Sequence, residues 1–165
     1  MGREDEIAKL REMIGEIRFA MLTTIEDDGS LRSRPMAAQQ TEGDADLWFF
    51  TYGGSPKAQE VRRDDRVNVS FSDNDKNRWV SVSGNAELVR DRAKMEELWK
   101  PILKAWFPQG LDEPDIALLK VDVEQAEYWD SASSKMVHLV GLVKAVANGE
   151  LFQPGDDVKL DFATA

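Results

Sequence analysis

"FAMLTTIEDDGSLRSRPMAAQQ", residues 19–40, is the stretch that decides the architecture. Its first eight residues mix aromatic, β-branched and apolar types, "DDGS" carries the Asp-Gly turn signal, and "LRSRPMAAQQ" supplies a return strand. The reading is a β-hairpin. Successive side chains of a strand alternate faces, so Arg32 and Arg34 leave the same side, with Met36 next on that face. Pro35 cannot donate to a ladder, which places it at a strand edge or a bulge.

That pair of arginines is unexpected in a chain of formal net charge -10. Nucleic-acid binding is disfavoured, because it is driven by clustered positive charge that displaces counterions. Any anion site is therefore small and local. Cysteine is absent, which excludes disulfides, thiolate metal sites and thiol nucleophiles and is compatible with a cytoplasmic location. No apolar run approaches the roughly 20 residues of a spanning helix, so no membrane partner is expected. The opening "MGREDEIAKL" is too polar for a signal peptide. At 165 residues the chain is read as one domain, 1–165, with enough length to bury a full core.

Outward from the hairpin, Ile7, Leu10, Ile14 and Ile17 recur at helical spacing and predict an amphipathic helix over 4–18. "LWFFTY" (47–52) is a third strand. After its Gly turn, Ser55 is the expected N-cap and Pro56 the first residue of a short helix. "RVNVSFSD" and "RWVSVSGNAELV" are two more strands joined by a polar loop, and "DIALLKVDVEQAEYWD" is the sixth. Met95, Leu98, Trp99, Ile102 and Trp106 form a roughly helical stripe that Pro101 either kinks or divides. "SKMVHLVGLVKAVANG" reads as a closing helix ended by Gly149, and residues 152–165 as a loose tail. Six hairpin-ordered strands with helices around them and no βαβ alternation predict a mainly β (α+β) fold, a small six-stranded antiparallel barrel with peripheral helices.

A helix N-terminus offers free N–H groups and partial positive charge, and Lys57 lies in that first turn beside Ser55. If the hairpin runs beside "LWFFT", then Arg32, Ser33, Arg34, Thr51, Ser55 and Lys57 converge on one phosphate. The competing reading is exposed arginines in surface ion pairs and a lysine solvating a helix start. Trp48, Phe49 and Phe50 are read as core or dimer packing rather than a stacking platform, Trp99 and Trp106 as core, and Trp79 as an outer-face residue suited to an interface. His138 is the sole histidine and is read as a helix residue with no special role, no metal-ligand spacing emerges, and no catalytic residue is assigned. No dinucleotide or phosphate-loop motif is present.

"SRPM", "LWFFT", "SPKAQEVRRDDRVNVSFSD", "DRAKMEELWKPILKAWFPQGLDEPD" and "AEYWD", in this order and spacing, resemble the general stress protein 26 family of the pyridoxamine 5'-phosphate oxidase-like flavoproteins. The resemblance implies a split β-barrel that binds FMN, or in some relatives FAD, at the interface of a homodimer. It implies that Arg32, Ser33, Arg34 and Pro35 line the flavin, that Phe50 and Thr51 meet it from the third strand, and that Ser55 and Lys57 hold its phosphate. Trp129 of "YWD" is implied near the ring, from one subunit or the other. The implied activity is a flavin-dependent oxidoreductase with a small-molecule donor or acceptor, the alternative being a non-catalytic flavin store or redox sensor. The C-terminal basic segment with which true pyridoxamine phosphate oxidases bind substrate has no equivalent, so that reaction is not expected.

Overall fold

The hairpin forms because the chain can reverse at 26–30: the Glu26 amide donates to the Ser30 carbonyl at 2.8 Å, and Gly29 takes φ +82°, a left-handed value that glycine adopts without a Cβ penalty. The strands on either side, β1 (Phe19–Ile25) and β2 (Leu31–Ala37), pair antiparallel from Ile25↔Leu31 to Phe19↔Ala37. A computed structural model describes residues 2–40, 45–130, 146–149 and 156–162. Within them follow β3 (Gln39–Gln40), β4 (Leu47–Tyr52), β5 (Arg66–Asp73), β6 (Arg78–Val89), β7 (Ile116–Asp130) and β8 (Asp156–Asp161). All six expected strands are present.

Every pairing is antiparallel, in the order β2-β1-β5-β6-β7-β4-β3, with β8 also on β7. The sheet curls into a split barrel. Its backbone is the long β6–β7 ladder, which one bulge interrupts between Ser83 and Gly84. A Cβ at Gly84 would collide with the Asp122 carbonyl, so only glycine allows the strands to approach there. The free edge of β7 is shared: residues 116–121 pair with β4 and residues 125–130 with β8.

Alternation fills the interior. Ala20, Leu22 and Thr24 of β1, Val67, Val69 and Phe71 of β5, Val80 and Val82 of β6, and Leu47 and Phe49 of β4 are buried, together with Leu10, Met13 and Ile14 of helix α1 (Arg3–Ile14). The first helix is shorter than expected. It stops at Gly15, and a tight turn from Ile14 to Ile17 returns Ile17 to the core.

Strand β4 is buried on both faces. Its outer face, Trp48 and Phe50, is covered by Met95 and Leu98 of helix α3 (Arg92–Leu98) and by Leu103 and Phe107 of the segment beyond it. Pro101 does divide the predicted helix, since α3 ends at Leu98 and a 3-10 turn runs Pro101–Ala105. Trp106 and Ile102 are not core residues, being 50% and 66% exposed. Once the helix breaks, its stripe no longer shares one face.

The loose tail is also corrected. Residues 156–161 form β8, in register from Gln125↔Asp161 to Asp130↔Asp156, and Leu160 and Phe162 are buried in the main core. The signal was the alternation of Val158, Leu160 and Phe162, outweighed in the sequence reading by Pro154, Gly155 and the acidic pair. Of the expected closing helix only a helical turn at 146–148 falls among the described residues; His138 lies outside them. Among the described residues no helix is long and apolar enough to cross a membrane. Because Leu160 is a packed core residue, Leu160→Ala should cost about 2–5 kcal/mol in urea unfolding, whereas a loose tail would leave the midpoint unchanged.

Candidate functional site

The barrel is not closed between β2 and β4. At one end β3 pairs with β4 through Gln39↔Trp48 and Gln40↔Leu47, which pins the two sides together. Toward Arg34 the edges diverge into a cleft of about 260 Å³. One side is Arg34, Pro35, Met36 and Ala37 of β2, and the other is Phe50, Thr51 and Tyr52 of β4. Lys57 closes the polar end, and Phe19, Leu103, Trp106 and Phe107 form the apolar mouth. Phe19 and Trp106 meet edge to face with centroids 6.0 Å apart, and the Tyr52 hydroxyl donates to the Trp106 carbonyl at 2.9 Å.

The polar end is set by the corner between β4 and helix α2 (Pro56–Arg63). The Gly53 amide donates to the Asp115 carbonyl at 2.9 Å, and the Gly54 amide to the Asp115 carboxylate at 2.8 Å. That carboxylate also takes Arg90 at 3.0 Å. The Gly54 hydrogen bond, with Arg90 behind it, holds the Asp115 carboxyl below its ordinary range. A side chain at Gly53 would displace the Arg90 guanidinium and crowd its ion pair with Asp115, so glycine leaves this pair undisturbed at the corner. Ser55 then caps α2 as expected, accepting from the Ala58 amide at 3.4 Å, with its hydroxyl 3.1 Å from that of Thr51.

Three cations converge here with unequal pairing. Arg34 is drawn inward: Nη1 donates to Thr24 Oγ1 at 2.6 Å and Nη2 to Glu60 Oε2 at 2.9 Å, while Thr24 Oγ1 donates to the same Glu60 oxygen at 2.5 Å. Arg32 is exposed and lies 3.7 Å from Glu26. Lys57 is half-buried and has no hydrogen bond or ion pair to a described residue. Burial, then the fields of Arg34 and Arg32, push its ammonium below the ordinary lysine range, with Glu60 opposing them. A partly desolvated lysine facing two guanidinium groups is a place where an anion relieves strain.

The structure thus brings Arg34, Pro35, Phe50, Thr51 and Lys57 to one cleft, with Ser55 behind Thr51. Arg32 acts on Lys57 through its field but does not line the cleft, and the Ser33 hydroxyl is engaged with that of Thr23 at 2.6 Å on the outer face. Trp129 does not line it either. It sits opposite Trp79 in the β6–β7 ladder. Sequence reasoning missed Thr24, Glu60, Tyr52, Phe19 and Trp106; for Glu60 a signal existed, since it lies three residues after Lys57 and shares its helix face.

A family model described as pyridoxamine 5'-phosphate oxidase like matches residues 5–153. Protein bli-3 of Neurospora crassa is 34% identical over 156 residues, covering 88% of this chain and 73% of that protein. A solved structure described as a general stress protein 26 from Jannaschia sp. CCS1 superposes with TM-score 0.75 at 25% identity, over 96% of this chain and 99% of the other. A pyridoxamine 5'-phosphate oxidase-related, FMN-binding protein from Nostoc punctiforme shares the fold, with TM-score 0.62 at 16% identity over 81% and 86% of the two chains.

Because its folded-state value is depressed, Lys57 binds fewer protons folded than unfolded as pH rises through that value, so its burden on stability is present at neutral pH and is relieved toward about pH 10.5. Lys57→Met should therefore raise the melting temperature of the ligand-free protein at pH 7, with the gain shrinking in alkali. A lower melting temperature would contradict the unpaired, desolvated lysine.

Proposed function

The chain belongs to the pyridoxamine 5'-phosphate oxidase-like family, and from that premise we propose that its cleft binds a flavin, FMN with FAD as the larger alternative, by the phosphate. The observation that carries the reading is Lys57, half-buried and without an acidic partner among the described residues, beside Arg34 and at the end of an apolar slot. The residues fit such a group. Lys57 and the free N–H donors of Arg34 take the phosphate oxygens, the Thr51 hydroxyl, backed by that of Ser55, adds a polar group at the start of α2, and Phe50, Pro35 and Met36 give an apolar strip for a flat ring. The FMN-binding neighbour from Nostoc punctiforme supports the same reading at the level of fold.

When bound, the flavin would supply hydride or single-electron chemistry, and the protein's part is binding, orientation and exclusion of water. We read the activity as a flavin-dependent oxidoreductase of the general stress protein type acting on a small-molecule donor or acceptor. The shape of the cleft also favours a homodimer. Phe19, Met21 and Leu31 on the outer face of the hairpin are 50%, 40% and 72% exposed, and Trp106, half exposed, meets Phe19 across the mouth of the cleft. A second copy laid over this rim would cover apolar surface and complete the open side of the site.

Titration of flavin fluorescence tests the phosphate site. Lys57→Met and Arg34→Lys, which keeps charge but loses the guanidinium fork, should each weaken FMN by about 1.5–3 kcal/mol, or one to two decades, with riboflavin unaffected. FMN affinity in both variants equal to that of the parent protein would sink the assignment. Light scattering at low concentration should give twice the monomer mass, and a flavin-binding monomer would refute the shared site.

A further inference from the structure

Glu60 is a carboxylate 7% exposed, the one buried acid among the described residues. Isolated burial of such a charge costs several kcal/mol, so its partners matter. They are two, and they are joined to each other: Glu60 Oε2 accepts from Thr24 Oγ1 at 2.5 Å and from Arg34 Nη2 at 2.9 Å, and Thr24 Oγ1 accepts from Arg34 Nη1 at 2.6 Å. Thr24 is fully buried and the Arg34 side chain is only 15% exposed. Both outer nitrogens of the guanidinium are thereby held, one from β1 and one from α2, and the planar group has a single orientation. Its remaining N–H donors are left for the cleft that Arg34 lines.

We propose that Glu60, acting with Thr24, is a positioning residue that fixes the Arg34 guanidinium for anion recognition at the cleft and balances its charge against Lys57. This deepens the flavin-phosphate reading and rests on it for the identity of the anion. Glu60 and Lys57 are three apart on α2, so one helix carries both the free cation and the clamp of the other. The charged groups acting on Lys57 are Arg34 and Arg32 from β2 and Glu60 from its own helix. Removing the Glu60 charge leaves Lys57 facing two guanidinium groups with no opposing acid.

The test compares the parent protein with Glu60→Gln, which keeps an acceptor but not the charge, and Glu60→Ala, which keeps neither. In ligand-free protein, nitrogen-15 spectra should show the Arg34 Nη protons as separate, slowly exchanging resonances in the parent and in Glu60→Gln, and averaged in Glu60→Ala. The FMN-to-riboflavin affinity ratio should fall roughly tenfold in Glu60→Ala and stay near the parent value in Glu60→Gln at pH 7. The alkaline loss of FMN binding should begin at lower pH in Glu60→Gln, while riboflavin binding stays flat with pH. A purely structural Glu60 would lower the melting temperature and move both ligands alike, and that result overturns the proposal, as do unchanged Arg34 resonances in Glu60→Ala. If Glu60→Ala does not fold, the pH profile of Glu60→Gln decides by itself, a profile superimposable on the parent's being the negative. If the parent shows no preference for FMN over riboflavin, the flavin reading fails, and the Arg34 resonances decide the positioning role separately.

Discussion

The site exists because the barrel cannot close. Strand β2 lies at one end of the pairing order and β4 near the other, and among the described residues it is the chain running on from β2 into the two-residue β3 that pairs with β4. Pro35 denies β2 a backbone donor in the middle of its length, and Arg32 and Arg34 put charge on the face that would have to be buried in a continuous sheet. A closed barrel would strand those guanidinium groups in an apolar interior, at a cost that a single acid for each, Glu26 for Arg32 and Glu60 for Arg34, would have to offset. The open seam instead lets Arg34 reach inward to Glu60 and Thr24 while still lining the cleft.

What the seam leaves open, the corner after β4 makes polar. Gly53 and Gly54 turn the chain so tightly against Asp115 and Arg90 that α2 must start beside Thr51. The helix then carries Ser55, Lys57 and Glu60 into the gap. The opposite wall is apolar for a related reason. Strand β4 is buried on both faces, so the segment 92–111 has to fold back over Trp48 and Phe50, and Tyr52 ties that cover down at the Trp106 carbonyl. One strand thus sets both the charged end and the aromatic rim.

Local chemistry was the legible part of the sequence. The Asp-Gly turn, the alternation of six strands, the Ser55 cap and the break at Pro101 each depend on a few neighbouring residues, and each is found. The convergence of Arg34 and Lys57 was legible too, because a hairpin strand laid beside "LWFFT" brings β2 to the start of the helix that follows it. The fate of Arg34 was not, since its partners come from 10 and 26 residues away across three elements. Trp106 was misread for the opposite reason: helical periodicity was extended through a proline that ends it. Strand β8 needed knowledge that β7 is longer than β4 and leaves residues 125–130 wanting a partner.

The charge pattern of the cleft follows from these same constraints. Three unpaired cations so close together would burden the fold, because each raises the cost of protonating the others. Three fully paired cations would present an anion with nothing to gain, since every donor would already have an acid. The fold lies between these limits. Arg34 has a buried acid that orients it, Arg32 has Glu26 3.7 Å away in a more solvated pair, and Lys57 has no ion pair to a described residue. The two guanidinium groups therefore hold the shape of the site at modest cost, and the lysine keeps an unmet demand for negative charge. In a chain of net charge -10, whose field repels anions at long range, that demand acts only within a few ångströms of the cleft, so recognition depends on the local arrangement of these groups rather than on long-range steering.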